Sequence, residues 1–234
     1  MIIHGIIACG GNSERYAQSV GEETPFPKHL QEIGGKTLLT RSFEALIYNV
    51  PEIKSVTFAL NRQLEKPYIE HMKEIQKAHP EIQLSFTSTV KIDGRHLFTN
   101  IKTAVYEGVY DLSHHKIYLG NPIVAIALGD SVVRNGDTGA IQTDLNKHHS
   151  SLAEGSSLGI FQSGKSEGLI YWFSRLNGLG EGDPDFREDG QKYGLSRWNC
   201  NTKGELTVAK RDLGYPLTMD ETALIYPHYG KERR

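Results

Sequence analysis

Ala8-Cys9-Gly10-Gly11-Asn12-Ser13-Glu14-Arg15 decides how the rest of the chain is read. It closes a β-branched run, Ile2–Ala8, that fits a buried strand bounded by two glycines. Those glycines let the backbone turn sharply and bring bare N–H groups close to an anion. Arg15 adds a planar fork suited to phosphate oxygens. Thirteen residues further on, within Thr24-Pro25-Phe26-Pro27-Lys28-His29-Leu30, Lys28 follows a proline whose fixed φ stiffens the approach of the chain. The pattern has neither the Gly-Lys-Ser/Thr of a Walker A loop nor the spacing of Gly-x-Gly-x-x-Gly. Cys9 is expected to fill a small buried position, since its place beside the loop does not make it a nucleophile without a His or cation partner.

Downstream of this loop two periods alternate. Thr37–Asn49 carries Leu38, Leu39, Phe43, Leu46 and Ile47 at helical spacing and stops before Pro51. Ser55–Leu60 reads as a strand, Leu64–Ala78 as an amphipathic helix stopped before Pro80, and Ile82–Phe86 as a strand. Thr99–Tyr110 is expected to be a helix, and Ile123–Leu128 a buried strand ended by Gly129-Asp130. Four strand–helix alternations predict an α/β fold: a mostly parallel, mixed central sheet with helices on both faces. The second half is less regular. Asp144–His149 is read as helical, Leu158–Gln162 as a strand, Leu169–Leu176 as a helix, and Ala223–Tyr226 as a last strand. Tyr193–Cys200 and Glu205–Ala209 are read as a hairpin. Gly178–Gly190 is too polar for a core and is read as an exposed acidic loop. Nothing forces a domain cut, so residues 1–234 are expected to form one domain of two lobes, 1–135 and 136–234.

Composition narrows the classes. The chain has 234 residues with 26 Lys+Arg against 28 Asp+Glu, a net charge of −2 that lacks the basic excess of a nucleic-acid binder. Two cysteines, Cys9 and Cys200, exclude a disulfide framework and a Cys-based zinc site. The apolar start lacks a basic n-region and reads as a strand rather than a signal peptide. No apolar run reaches the ~20 residues that span a bilayer. The expectation is a cytoplasmic protein without a membrane partner. His114-His115 and His148-His149 are neighbours that would point apart on a helix, and are read as solvated. Ten of the 24 glycines lie in residues 1–135 and fourteen in residues 136–234, so the glycine surplus belongs to the irregular half and not to the phosphate loop.

Asp130 stands at the carboxyl end of a buried-type strand, where open parallel sheets place their ligands. Mg²⁺ takes one or two protein carboxylates and completes its octahedron with water and phosphate oxygens. A strand-end Asp facing a phosphate loop is therefore a candidate metal ligand.

Taken together, Gly10-Gly11-Asn12-Ser13-Glu14-Arg15, Pro27-Lys28-His29-Leu30 and Gly34-Gly35-Lys36-Thr37-Leu38-Leu39 resemble the opening signature of the nucleotidyltransferase superfamily, sugar-1-phosphate nucleotidylyltransferases included. The match covers about the first forty residues. It implies a nucleotide-diphospho-sugar-transferase-like fold of the GT-A type, with 1–135 as its nucleotide-binding lobe and 136–234 as its acceptor-binding lobe. It also implies an Mg²⁺-dependent reaction that joins an NTP to a small phosphorylated acceptor and releases pyrophosphate. On this resemblance Gly10, Gly11, Asn12 and Ser13 hold the nucleotide, with Thr99 from the segment where related enzymes contact base and phosphate. Arg15 and Lys28 are the catalytic cations, and Asp130 binds the metal. Leu217–Thr222 resembles the late segment bearing a second ligand, which selects Asp220. Tyr193–Arg211 resembles the family's sugar-side hairpin, placing Lys210 on the acceptor phosphate. Ala209 stands where the family carries a Glu that grips sugar hydroxyls, which turns the reading from an ordinary hexose 1-phosphate toward other acceptors. The alternatives are an alcohol-phosphate cytidylyltransferase, a molybdopterin-type nucleotidyltransferase, a glycosyltransferase on a similar sheet, or a non-catalytic nucleotide binder. Asp183-Pro184-Asp185 is the only Asp-x-Asp and lies in the polar segment, which ranks the glycosyltransferase lower.

Overall fold

The computed structural model describes residues 3–89, 123–134, 143, 157–161, 169–175, 185–187, 196–200 and 206–208. β1 (Ile3–Cys9) leads through the glycine loop into α1 (Glu14–Val20). A small hairpin, β2 (Glu32–Ile33) and β3 (Lys36–Thr37), follows, then α2 (Leu38–Asn49), β4 (Ile53–Asn61), α3 (Glu65–Ala78) and β5 (Gln83–Thr89). The remaining strands are β6 (Ile123–Leu128), β7 (Ser131–Arg134), β8 (Ser157–Phe161), β9 (Leu169–Arg175), β10 (Asp185–Arg187), β11 (Ser196–Cys200) and β12 (Leu206–Val208).

Seven strands form the central sheet in the order β5-β4-β1-β6-β9-β8-β10. β5, β4, β1 and β6 are mutually parallel. β9 runs antiparallel to both β6 and β8, and β10 is parallel to β8, so among the described residues β9 is the one reversed strand of this sheet. The fold is α/β with a mostly parallel, mixed sheet. Residues from both halves of the chain share it.

β1 and β6 are near-continuous apolar runs because both their faces are covered. On one face α2 contributes Leu39, Phe43 and Leu46, and α3 contributes Tyr68, Met72 and Ile75. They pack with Ile3, Ile7, Val56, Phe58 and Ile123 of the sheet. Fully burying a side chain such as Phe43 or Phe58 stabilises the fold by roughly 1.5–3 kcal/mol. α2 starts where Thr37 caps it, the hydroxyl accepting from the Thr40 N–H at 3.1 Å. Gly34 and Gly35 form the β2–β3 turn, both with positive φ, +58° and +74°, as a two-residue hairpin turn requires. His4 is fully buried and joins Ser55 Oγ through Nδ1 and Thr57 Oγ1 through Nε2, each at 2.8 Å. Thr57 Oγ1 in turn meets Ser85 Oγ at 2.7 Å, a polar row running across β1, β4 and β5.

A second sheet, β7-β11-β12, carries the expected hairpin: β11 and β12 are antiparallel with Cys200 opposite Leu206. β11 also pairs with β7, Asn199 opposite Ser131. The hairpin is thereby attached to the strand that begins one residue after Asp130.

Two expectations need correction. Leu169–Leu176 is not a helix but β9, which fills the place between β6 and β8. Its aromatic run Tyr171-Trp172-Phe173 favours a pleated surface, and Tyr171 and Phe173 are buried two residues apart, the strand period. Gly178–Gly190 is not loop throughout, since β10 within it pairs with β8. The expected helices Thr99–Tyr110 and Asp144–His149 and the strand Ala223–Tyr226 lie outside the described residues, apart from helical Thr143 next to the second. Among the described residues no helix is long and apolar enough to cross a membrane.

Candidate functional site

The chain passes from β1 to β4 on one side, and β6 lies on the other, so the strand order reverses at β1. Such a switch point opens a crevice at the carboxyl ends of the strands. Three segments meet there: the loop after β1, Asn61 at the end of β4, and Gly129-Asp130 after β6. The Gly129 N–H donates to the Ala8 carbonyl at 3.0 Å, which ties the β6 end to the loop.

Gly10–Ser13 form an exposed to half-buried turn. A Cβ built on Gly11 would meet nothing within 4 Å, so the backbone there borders open space. Ser13 takes a left-handed conformation, φ 57° and ψ 33°, which costs a non-glycine residue on the order of 1 kcal/mol. Its Oγ is buried and, among the described residues, has no hydrogen-bond partner. The Asn12 carbonyl accepts from the Phe26 N–H at 3.0 Å, and Tyr16 and Phe26 stack with centroids 5.5 Å apart, closing the loop between residues 12 and 26. Arg15 projects from the first turn of α1 and is exposed.

Lys28 lies in a single 3₁₀ turn, Lys28–Leu30, behind Pro27. Its Nζ reaches Asp130 Oδ2 at 2.5 Å, with the two side chains 25% and 31% exposed. An ammonium and a carboxylate, partly shielded from water, thus stand side by side next to the glycine loop. Beneath them the packing is tight. Gly129 is buried, and a Cβ there would collide with Cys9 Sγ and come within 3.1 Å of both the Ala8 oxygen and His29 Cδ2. The Gly129 carbonyl accepts from Ser42 Oγ of α2 at 3.1 Å. His29 is buried and shares a 2.7 Å hydrogen bond between its Nδ1 and Tyr68 Oη. Burial, with the Lys28 charge adding to it and Asp130 opposing, lowers the His29 pKa to about 4, so the ring is neutral at neutral pH. Burial, then Asp130, pushes the Cys9 thiol well above its ordinary range, in keeping with an inert packing role.

Of the residues expected from the sequence, Gly10–Ser13, Lys28 and Asp130 are brought together, and Arg15 stands beside them on α1. Thr99, Lys210 and Asp220 lie outside the described residues. The sequence reading missed Asn61. It is buried, accepts from the Gln63 N–H at 2.9 Å, and donates to Asn12 Oδ1 at 2.8 Å, so that β4 braces the glycine loop. It also missed His29, Tyr68 and Ser42. The available signals were faint: a polar residue closing an apolar strand, and a His next to the lysine. A metal fit rests on Asp130, whose hard carboxylate oxygens are of the kind that Mg²⁺ takes together with phosphate oxygens. Among the described residues no group of three or more His, Cys, Asp or Glu forms a closed metal cage.

No protein-family model matches the chain, and no curated protein matches it. Among solved structures it is similar to an apo UDP-glucose pyrophosphorylase, with 13% identity, 76% of this chain and 78% of the other covered, and a TM-score of 0.49. It is also similar to a mannose-6-phosphate isomerase from Helicobacter pylori, at 12% identity, covering 71% of this chain and 52% of that one, with a TM-score of 0.44. A nucleotidyl transferase from Methanothermobacter gives 14% identity, coverages of 76% and 73%, and a TM-score of 0.43.

Proposed function

We propose that the chain is an Mg²⁺-dependent nucleotidyltransferase, joining an NTP to a small phosphorylated acceptor such as a sugar 1-phosphate. The observation that carries this reading is the contact of Lys28 Nζ with Asp130 Oδ2 beside an open glycine loop at the strand-order reversal. A phosphate oxygen of the acceptor attacks the α-phosphorus of the NTP in line. The bond from that phosphorus to the bridging oxygen breaks, and pyrophosphate leaves with the electron pair. Such chemistry asks the protein for positioning and charge neutralisation rather than a covalent nucleophile. The Gly10–Ser13 backbone cradles the triphosphate, and the orphaned Ser13 hydroxyl donates to one of its oxygens. Lys28 faces the α-phosphate, and Arg15 the departing pyrophosphate. Asp130, with Asp220 as the proposed second ligand, would hold Mg²⁺, which would supply neutralisation of phosphate charge. Thr99 is assigned to the nucleotide and Lys210 to the acceptor phosphate.

The test is a panel of the four NTPs against sugar 1-phosphates, alcohol phosphates and a phosphate-bearing pterin, scored with Mg²⁺ by pyrophosphate release. Release with one pairing supports the reading and names the acceptor class. Nucleotide binding without release from any pairing overturns it in favour of a non-catalytic binder.

A further inference from the structure

Lys28 and Asp130 meet at their side-chain tips, and one ring, that of His29, stands between the backbones that carry them. The His29 imidazole follows Lys28 in the same 3₁₀ turn, and its Cδ2 lies 3.1 Å from where a Cβ on Gly129 would stand. Its Nδ1 is fixed from the opposite side by the 2.7 Å hydrogen bond to Tyr68 Oη, with ring centroids 5.9 Å apart. Tyr68 is itself fully buried on α3, so the hydroxyl has little freedom to follow a moving partner. An apolar side chain would fill the same volume without a buried polar pair. A buried hydrogen bond specifies one arrangement where packing alone tolerates several.

We propose that His29, oriented by Tyr68, is the positioning residue of the site. It sets the separation of the Lys28 and Asp130 backbones, and hence the register of cation and carboxylate at the reacting phosphate. The proposal rests on the transfer reading for what the pair does, but not for how the pair is held.

Two readouts separate these. The first is acylation of Lys28 by an amine-reactive ester, measured by mass spectrometry against the exposed Lys66 as internal standard. Asp130→Asn, in which the ion pair is broken, sets the fast limit. Tyr68→Phe, which removes only the hydroxyl, and His29→Leu are expected to raise Lys28 labelling severalfold toward that limit. His29→Asn, which returns a polar atom near the Nδ1 position, is expected to restore slow labelling. The second readout is steady-state pyrophosphate release, where Tyr68→Phe is expected to lower kcat on the order of tenfold or more with the KM for NTP little changed. Unchanged Lys28 labelling in Tyr68→Phe, its fold verified by circular dichroism, overturns the proposal even if His29→Leu does not fold. Absence of pyrophosphate release from the wild-type chain overturns the transfer reading instead and leaves the labelling result to judge His29.

Discussion

Lys28 Nζ and Asp130 Oδ2 meet at 2.5 Å across 102 residues of sequence, one carried by a 3₁₀ turn behind the glycine loop and the other by the end of β6. A half-exposed pair of this kind contributes little to folding, typically ~0–1 kcal/mol, because water screens both charges. Its placement is better explained by what the two charges do to a ligand than by what they do for the fold.

Lys28→Ala and Asp130→Ala are therefore expected to lower pyrophosphate release by well over tenfold, on the order of 10²–10³ for loss of one preorganised charge. Melting temperature should shift by only a few degrees, as for a weak ion pair. Steady-state kinetics beside a thermal melt checks both halves. Near-wild-type turnover in both variants would remove the proposed roles.

Gly11 and Gly129 should respond to alanine in opposite ways. A methyl at Gly11 meets nothing within 4 Å, so stability should hold while it intrudes on the space assigned to the triphosphate. Binding of an NTP, or of tripolyphosphate, is expected to weaken by about tenfold or more, as for a ligand displaced from preorganised donors. Calorimetric titration reads this directly.

At Gly129 the same methyl runs into Cys9 Sγ, and the Ala8 carbonyl and His29 stand close by. Overpacking there should cost roughly 1–3 kcal/mol. Cys9→Ala removes one of the clashing atoms, so the double variant should recover part of the loss. A denaturant-melt double-mutant cycle with no coupling between the two sites would contradict this packing.

Asn61→Ala strips the brace from the glycine loop and leaves the Asn12 side-chain oxygen and the Gln63 N–H without their partner. The expected cost is ~1–3 kcal/mol. Proteolysis within residues 10–27 should quicken, while strand content measured by circular dichroism stays unchanged.

Acid should unfold the protein from a defined pH. Burial lowers the pKa of His4 to about 3 and that of His29 to about 4. Both rings are neutral when folded, whereas the unfolded chain takes up their protons from pH ~6.5 downward. The unfolded state therefore binds more protons below that pH, and stability falls as pH drops from 6.5 toward 4. At full development the loss is on the order of 3–5 kcal/mol per ring. Guanidinium midpoints at pH 7.5, 5.5 and 4.5 should fall in that order, and His4→Gln should flatten the slope.

β1, β4, β5, β6, α2 and α3 were legible in the sequence because each is written in a local period that burial on one or two faces enforces. The glycine loop, Lys28 and the strand-end Asp130 were legible for the same reason: turn chemistry and strand ends are local. β9 was not. Leu169 to Phe173 is apolar without interruption, so neither period stands out, and only pairing with β6 and β8 on its two sides chose the strand.

The sequence by itself determined which residues bear the charge, the bare backbone and the apolar faces. Tertiary structure alone decided who meets whom: Asn61 reaching Asn12, Tyr68 holding His29, Gly129 wedged over Cys9, and Lys28 against Asp130. The physical reason is range. Backbone preference and hydrophobic period act over a few residues, whereas these contacts exist only after parallel strands far apart in the chain have been brought into register.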